Sequence, residues 1–403
     1  MLPPDEAWRR IEPHARPLAV ETCLRRAAAG RILAEDLTAL TDVPGGDVSA
    51  MDGYALAGEV PAGAALPVAG TIAAGAAPDA RLAPGNALRI MTGAPVPAGA
   101  DRVIPIEDTD RGAERVTVRA AVPAGAHIRR RGEVVRSGAQ LLPAGTLLTP
   151  GALALLATHG YHDLPVVGAP RVAILTTGDE VVAPDTTPAP GQLRDSHTDF
   201  LLAACASVGA RPHALGIAPD RAEVLRSRLA EGLTHDVLIV SGGVSMGEFD
   251  LVEGVLAELG CEPLFDALAI QPGKPMVAAV HPSGLLFALP GNPASAMVCF
   301  WILVRPALRR LYGLDDGFWR GALRGTLTAP LPAARDRDRF LPALVRFADG
   351  EPAVEPLLPV GSHDLAAYAR GTALVRVPAG SPERRPGEPC SILPLANWAN
   401  AES

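Results

Sequence analysis

The sequence predicts a multidomain α/β protein whose centre is a doubly wound sheet, and three observations carry that prediction. The chain has 403 residues, more than a single hydrophobic core accommodates, and about 150 residues per domain suggests about three units. From residue 168 to about 312, short apolar runs alternate with segments of helical period, the signature of a parallel sheet wound on both faces. On either side the texture is that of short β-branched strands punctuated by turns.

The elements follow in order. Over the first forty residues, Ala7, Ile11, Leu18, Val20, Leu24 and Ile32 recur at loose helical intervals, with Asp5 placed to cap a helix. From about 45 to 145 the runs DRVIPI and ERVTVRAAV predict an all-β module. The tripeptide Pro-Ala-Gly occurs at 61, 97, 123 and 143, and again at 378, each a turn signature. RVAILTT then reads as a buried strand, Ser196 as the cap of a helix through TDFLLAACASVG, and PHALGI as a strand. Asp220 is placed to cap RAEVLRSRLAEGL, DVLIVSGG is the next strand, and LVEGVLAELG the next helix. GALRGTLTA, LPALVRF and TALVRVP make a second β module at the end of the chain.

Composition excludes several function classes. Lys plus Arg total 36 and Asp plus Glu 44, a net charge of -8, so no global positive field would hold nucleic acid or an anionic membrane. The five cysteines, Cys23, Cys205, Cys261, Cys299 and Cys390, are scattered and odd in number, as expected of reduced thiols. The N-terminus has acids and prolines where a signal peptide needs an apolar core, and no long uncharged apolar run follows. A cytoplasmic protein is expected.

In an open α/β sheet, ligands bind at the carboxyl ends of the strands. Three loops fall there. RVAILTT leads to Gly178, Asp179 and Glu180. DVLIV leads to SGGVS, residues 241–245, then GEFD ending at Asp250. LLFAL leads to Pro290, Gly291 and Asn292. Small residues at such bends let backbone amides approach an anion, and SGGVS is the best phosphate cradle. Glu180 and Asp250 beside it supply the carboxylates that Mg2+ takes in combination with water and substrate phosphate. A second reading makes Asp179, Asp220 and Asp250 helix caps and Glu180 a surface charge, and capping suffices for Asp220. His363 reads as a surface residue. One further position stands out. Of the 36 basic residues, 35 are arginine and one is Lys274, inside QPGKP, residues 271–275. A compact ammonium suits a small pocket against a single oxyanion better than a wide guanidinium fork.

Taken in order, SAMDGYA, RIMTGAPVPAGADRVIPIEDT, RRRGE, LLPAGTLLTP, TTGDE, SGGVSMGEFD, QPGKP, LPGNPASA and GSHDLAAYARGTALVRVP resemble the molybdopterin molybdenumtransferase family, which includes bacterial MoeA proteins and the E domain of gephyrin. The matching segments run from about residue 40 to 378. The resemblance implies four parts: a discontinuous N-terminal helical and linker domain (1–45 and 141–167), an inserted β domain (46–140), a doubly wound molybdopterin-binding domain (168–316) and a C-terminal β-barrel-like domain (317–403). It implies insertion of molybdate into adenylylated molybdopterin with Mg2+ and release of AMP. Asp52, Thr92, Glu180, Asp220 and Asp250 match positions associated with activity, and Glu180 and Asp250 are the expected Mg2+ ligands. Gly178, Asp179, Ser241, Gly242, Gly243, Ser245, Pro290, Gly291 and Asn292 would hold pterin phosphates and nucleotide. Pro272, Gly273, Lys274 and Pro275, with Arg337 and Ser362, match the proposed molybdate pocket. The family's site lies between subunits, so a homodimer is expected in which Asp52 and Thr92 serve the partner's sheet, with transient contacts to an adenylyltransferase or to molybdoenzymes.

Two positions depart from the family pattern. Gln271 stands where relatives often have lysine in KPGKP, which removes a positive charge, and Val134 stands where an aspartate usually follows RRRGE. Competing readings are a paralogue taking tungstate or a modified pterin, a non-catalytic scaffold on the same fold, and another nucleotide hydrolase built on the doubly wound domain. SAMDGYA and the terminal β module count against the last.

Overall fold

The computed structural model describes residues 1–77, 79–242, 251–348 and 350–395. The chain divides into two compact units. One comprises Leu24–Ala29 and Glu35–Leu164; the other comprises Met1–Cys23, Gly30–Ala34 and the chain from Pro165 onward.

The smaller unit is built on a five-stranded sheet in the order Arg102–Pro105, Gly53–Leu56, Ala87–Ile90, Ala65–Ile72, Arg115–Thr117. Alternate residues face opposite sides. Ala55, Leu88, Ile90 and Val103 pack on one face, and Tyr54, Leu56, Ala87 and Ile104 on the other. Gly53 of SAMDGYA is required there, because a Cβ would collide with the Ile104 carbonyl of the neighbouring strand. The Pro-Ala-Gly signature works as expected in both units. At Pro61, Pro97, Pro123, Pro143 and Pro378 the proline carbonyl accepts from the amide three residues on, and the glycine takes a φ between 77° and 93°, the conformation a type II turn needs at its third residue.

The larger unit holds a six-stranded sheet in the order Arg211–Ala218, Arg171–Thr177, Val237–Ser241, Gly284–Leu289, Val277–His281, Glu262–Phe265. The first four strands are parallel. Strand 277–281 runs antiparallel to both of its neighbours, a departure from the all-parallel expectation. Its physical cause is the short connection Pro282-Ser283, which permits a hairpin but no crossover helix. The central runs are apolar throughout because both faces are covered. Val172, Ile174, Val237, Ile239 and Phe287 enter one core with the helices His197–Ser207 and Pro4–Ile11. Ala173, Leu175, Leu238, Val240 and Leu286 enter the other with the helices Ala222–Gly232 and Leu251–Glu258.

The N-terminal helix is shorter than the periodicity suggested, ending at Ile11 and followed by a strand at Val20–Leu24. Pro3, not Asp5, occupies its cap position; Asp5 lies in the first turn, where its carboxylate accepts from Arg9 at 2.9 Å. Asp5 therefore serves as an i,i+4 partner. At the chain's other end, strands Asp338–Ala348, Glu351–Pro356, Leu323–Leu327, Pro389–Pro394 and Ala373–Val377 pair in that order, and the last pairs back onto the first. The ring is a closed five-stranded barrel, with the short strand Ile270–Gln271 added to 338–348. Leu341, Ala343, Val345, Val354, Val375 and Ile392 fill its core.

Cys205, Cys261, Cys299 and Cys390 are free thiols. Among the described residues, no helix is long and apolar enough to cross a membrane.

Candidate functional site

Two of the cavities in the larger unit share one wall. The first, of about 290 Å3, lies at the carboxyl edge of the parallel strands and is lined by Thr177, Glu180, Asp195, His197, Ser241, Gly242, Gly291, Asn292 and His363, among others. All three strand-end loops therefore contribute to it. Strands 171–177, 237–241 and 284–289 end in register, so their loops converge. The Gly242 amide donates to the Leu289 carbonyl at 3.2 Å. At φ 92°, a Cβ on Gly242 would strike the Thr177 carbonyl, so only glycine fits. Gly178 is favoured by its backbone instead, at φ 138°; the nearest group to a Cβ there is the end of the exposed, flexible Glu180 side chain, at 2.7 Å. The Thr177 hydroxyl is buried and, among the described residues, has no hydrogen-bond partner. A buried polar atom facing a cavity without a partner is what a bound phosphate oxygen would satisfy.

Behind Ser241 lies a buried polar array. Asp195 and His197 are each 7% exposed and Ser241 is 1% exposed. The His197 ring is hydrogen-bonded through Nδ1 to the Ser241 hydroxyl. Burial holds the pKa of His197 below the usual imidazole value, against the opposing pull of Asp195, so the ring stays neutral. Asp195 accepts from the amides of His197 and Thr198, at 2.9 and 3.1 Å, and from the Thr198 hydroxyl at 2.5 Å. Ser196 occupies the cap position of this helix but makes no side-chain cap bond. Asp195 does that work: its Oδ1 accepts from both first amides while its Oδ2 accepts from the Thr198 hydroxyl.

Asp220 is not a helix cap. Arg221 holds that position for helix 222–232, and the Asp220 amide instead donates to the Asp179 carboxylate at 3.1 Å. The Asp220 pKa is raised, first by desolvation and then by the negative charges of Asp179 and Glu180. Three carboxylates thus crowd one another at the sheet edge. Among the described residues, no group of three or more His, Cys, Asp or Glu side chains could hold a metal ion by itself. Mg2+ takes only one or two carboxylates beside water and substrate oxygens, and Glu180, with the charges of Asp179 and Asp220 next to it, would be the group to offer one here. Asp250, Gly243 and Ser245 lie outside the described residues.

The second cavity, of about 330 Å3, sits between this domain and the mouth of the barrel. Its lining includes Gln271, Pro272, Gly273, Lys274, Pro275, Asn292, Arg337, Arg339, Ser362 and Tyr368. Asn292 is the wall common to both. Lys274 is held by its backbone: its carbonyl accepts from Leu268 at 2.9 Å and from Met276 at 3.1 Å. The Arg337 Nε is buried, 3.7 Å from the Asp336 carboxylate, and among the described residues it has no hydrogen-bond partner. Ser362 is tied to the sheet domain, its carbonyl accepting from the Ala294 amide at 3.2 Å. Three cations and no carboxylate line the cavity, an arrangement suited to an oxyanion. Sequence reasoning had singled out Lys274, Arg337 and Ser362 but passed over Thr177, Asp195, His197, Arg339 and Tyr368. It had also read His363 as merely superficial; that residue is exposed yet lines the first cavity.

Asp52 and Thr92 lie in the other unit, next to each other. The Asp52 carboxylate accepts from the Thr92 amide at 2.7 Å and its hydroxyl at 2.9 Å, which hold its pKa below the usual carboxylate range. Arg130 and Arg131 of the basic run are engaged by Asp47 and Asp42.

Comparison with known proteins accounts for this arrangement. Residues 2–160 match the MoeA N-terminal region (domain I and II), residues 173–310 a probable molybdopterin binding domain, and residues 324–395 the MoeA C-terminal region (domain IV). A Mycobacterium tuberculosis protein named molybdopterin molybdenumtransferase 2 is 37% identical over 87% of this chain and 89% of its own. The chain belongs to the MoeA family. A Bacillus subtilis molybdopterin molybdenumtransferase is 33% identical over 97% of this chain and 94% of its own. The crystal structure of a Pyrococcus horikoshii MoeA molybdopterin biosynthesis protein superposes with a TM-score of 0.84 at 29% identity, covering 99% of this chain and all of that one.

Proposed function

We propose that this MoeA protein acts in molybdenum cofactor biosynthesis as a molybdopterin molybdenumtransferase, joining molybdate to adenylylated molybdopterin with release of AMP. The observation that carries the reading is the pair of cavities sharing Asn292, one suited to phosphates and one cationic. In this reading the backbone at Gly242 and Gly291 and the Thr177 hydroxyl hold the phosphates of the adenylylated substrate. Neutral His197 fixes the Ser241 hydroxyl towards them. Glu180 and Asp250 would hold Mg2+, which when bound neutralises the phosphate charge during cleavage. Asp179 and Asp220 set the charge around those ligands.

Lys274, Arg337 and Ser362 bind the oxyanion beside the phosphates, so that once the phosphoanhydride is cut by water and AMP departs, molybdate is already next to the dithiolene. Asp52 and Thr92 complete the site from the second copy of a homodimer. The four-domain division drawn from the sequence, a cytoplasmic location and transient contacts with an adenylyltransferase or a molybdoenzyme belong to the same proposal. A scaffold role is disfavoured because it has no use for a cavity lined by Lys274, Arg337 and Arg339 with no carboxylate among its lining residues.

The test is AMP release from adenylylated molybdopterin with Mg2+, with and without molybdate. Release stimulated by molybdate is expected. No release with any oxyanion would overturn the assignment.

A further inference from the structure

We infer that Arg339 is a third oxyanion-binding residue of the cationic cavity, supplying from the barrel the charge that the QPGKP loop lacks at Gln271. The inference rests on the reading of that cavity as the molybdate site and goes beyond it.

Three independent features place the guanidinium there. The first is the side to which it points. Along strand 338–348, Leu341, Ala343 and Val345 fill the barrel core, while Phe340 packs into the core of the sheet domain. With a period of two, position 339 continues the inward face at the barrel's open end, and Arg339 lines the cavity there with Leu341. The second is register. Strand 270–271 pairs in parallel with 338–339, so Gln271 lies directly beside Arg339, and both line the cavity. Neighbours in register share a face, so a cation at either position reaches the same space.

The third is the absence of a competing use among the described residues. Asp338, the adjacent carboxylate, is committed to Arg376 at 2.7 Å and to the Ala379 amide at 2.9 Å, on the opposite face. The Tyr368 hydroxyl donates to the Phe340 carbonyl at 3.0 Å, which leaves the anion to the cations. Arg339 forms no salt bridge among the described residues and is half-buried. A guanidinium in that setting, beside Lys274 and Arg337, is placed to donate to a tetrahedral dianion.

The experiment is binding of molybdate, and separately of tungstate, to the full chain by isothermal titration calorimetry. Four proteins are compared: wild type, Arg339→Gln, the swap Gln271→Lys/Arg339→Gln, and Lys274→Ala, with thermal melting as the folding control. A charged hydrogen bond lost from the anion weakens binding about tenfold to a hundredfold, and that is the loss expected for Arg339→Gln. The swap should return the affinity to within about threefold of wild type, because the charge re-enters from the neighbouring strand. If Lys274→Ala weakens binding but Arg339→Gln does not, Arg339 is no ligand and the inference falls while the cavity reading stands. The inference also falls if Arg339→Gln weakens binding and the folded swap fails to recover it. If wild type and Lys274→Ala behave alike, the cavity itself is not the oxyanion site and both fall.

Discussion

Replacing Gly273 by alanine should unseat the loop that carries Lys274. Gly273 is buried at φ 108°, a backbone conformation that costs a residue with a side chain about 1–3 kcal/mol. The new methyl would lie 2.7 Å from Cys299 Sγ and 2.9 Å from Ile270 Cδ1, both in the fully packed core of the sheet domain. Overpacking of that kind adds about 1–3 kcal/mol. The sum, about 2–6 kcal/mol, is a large fraction of an ordinary domain's stability. The strain has two outlets: the domain loses stability, or the loop shifts and takes the ammonium with it. Urea unfolding and molybdate titration of the same protein read both. A lower unfolding midpoint or a weakened molybdate affinity is expected. Gly273→Ala/Cys299→Ala, which removes the nearer obstacle but leaves the backbone strain, should recover part of the loss. If Gly273→Ala keeps both the wild-type midpoint and the wild-type affinity, the packing argument is wrong.

Other predictions follow from the first cavity and the smaller unit. His197 has a depressed pKa in the folded protein, so its contribution to stability is full above about pH 6.5. It is lost as pH falls from there towards the folded value, and melting curves of His197→Asn between pH 5 and 8, a range on the order of the imidazole titration, should show a flatter profile than wild type. Asp220 has a raised pKa, so its charge opposes folding increasingly as pH rises from about 3.8 through the folded value. Because Asp220 is exposed, solvent screens most of this. Asp220→Asn should gain only a few tenths of a kcal/mol in urea unfolding at neutral pH, while losing Mg2+-dependent AMP release. Thr92→Ala removes one of the two donors on Asp52, and the Asp52 pKa should rise towards the usual carboxylate value in an NMR titration.

The extent to which all this was legible depended on what kind of constraint each residue obeys. Strands 171–177 and 237–241 declared themselves because burial on both faces leaves no polar positions to blur the run. The Pro-Ala-Gly turns were visible because glycine at a positive φ is a local requirement. Strand 277–281 was harder: its direction follows from the length of the turn at 282–283, which only matters once its partner is known. In the site, Lys274 stood out against a background of arginine. Arg339 was hidden by that same background, since in RDRDRF only the pairing with Gln271 tells an inward arginine from an outward one. His197 was passed over because Ser196 offered a sufficient local explanation as a cap, whereas the bond from His197 to Ser241 joins residues 44 apart. Asp220 shows the opposite error: a capping position one residue out of place concealed a carboxylate whose neighbours are Asp179 and Glu180.

The central claim is that two adjoining cavities divide the work, one holding the adenylylated substrate and the other the oxyanion. The measurement that tests it most directly is substrate binding and molybdate-stimulated AMP release in Glu180→Ala and Lys274→Ala, side by side. The account predicts that Lys274→Ala still binds adenylylated molybdopterin but no longer responds to molybdate, whereas Glu180→Ala binds molybdate and fails to release AMP. Loss of both functions together in each folded variant, or of neither, would contradict it.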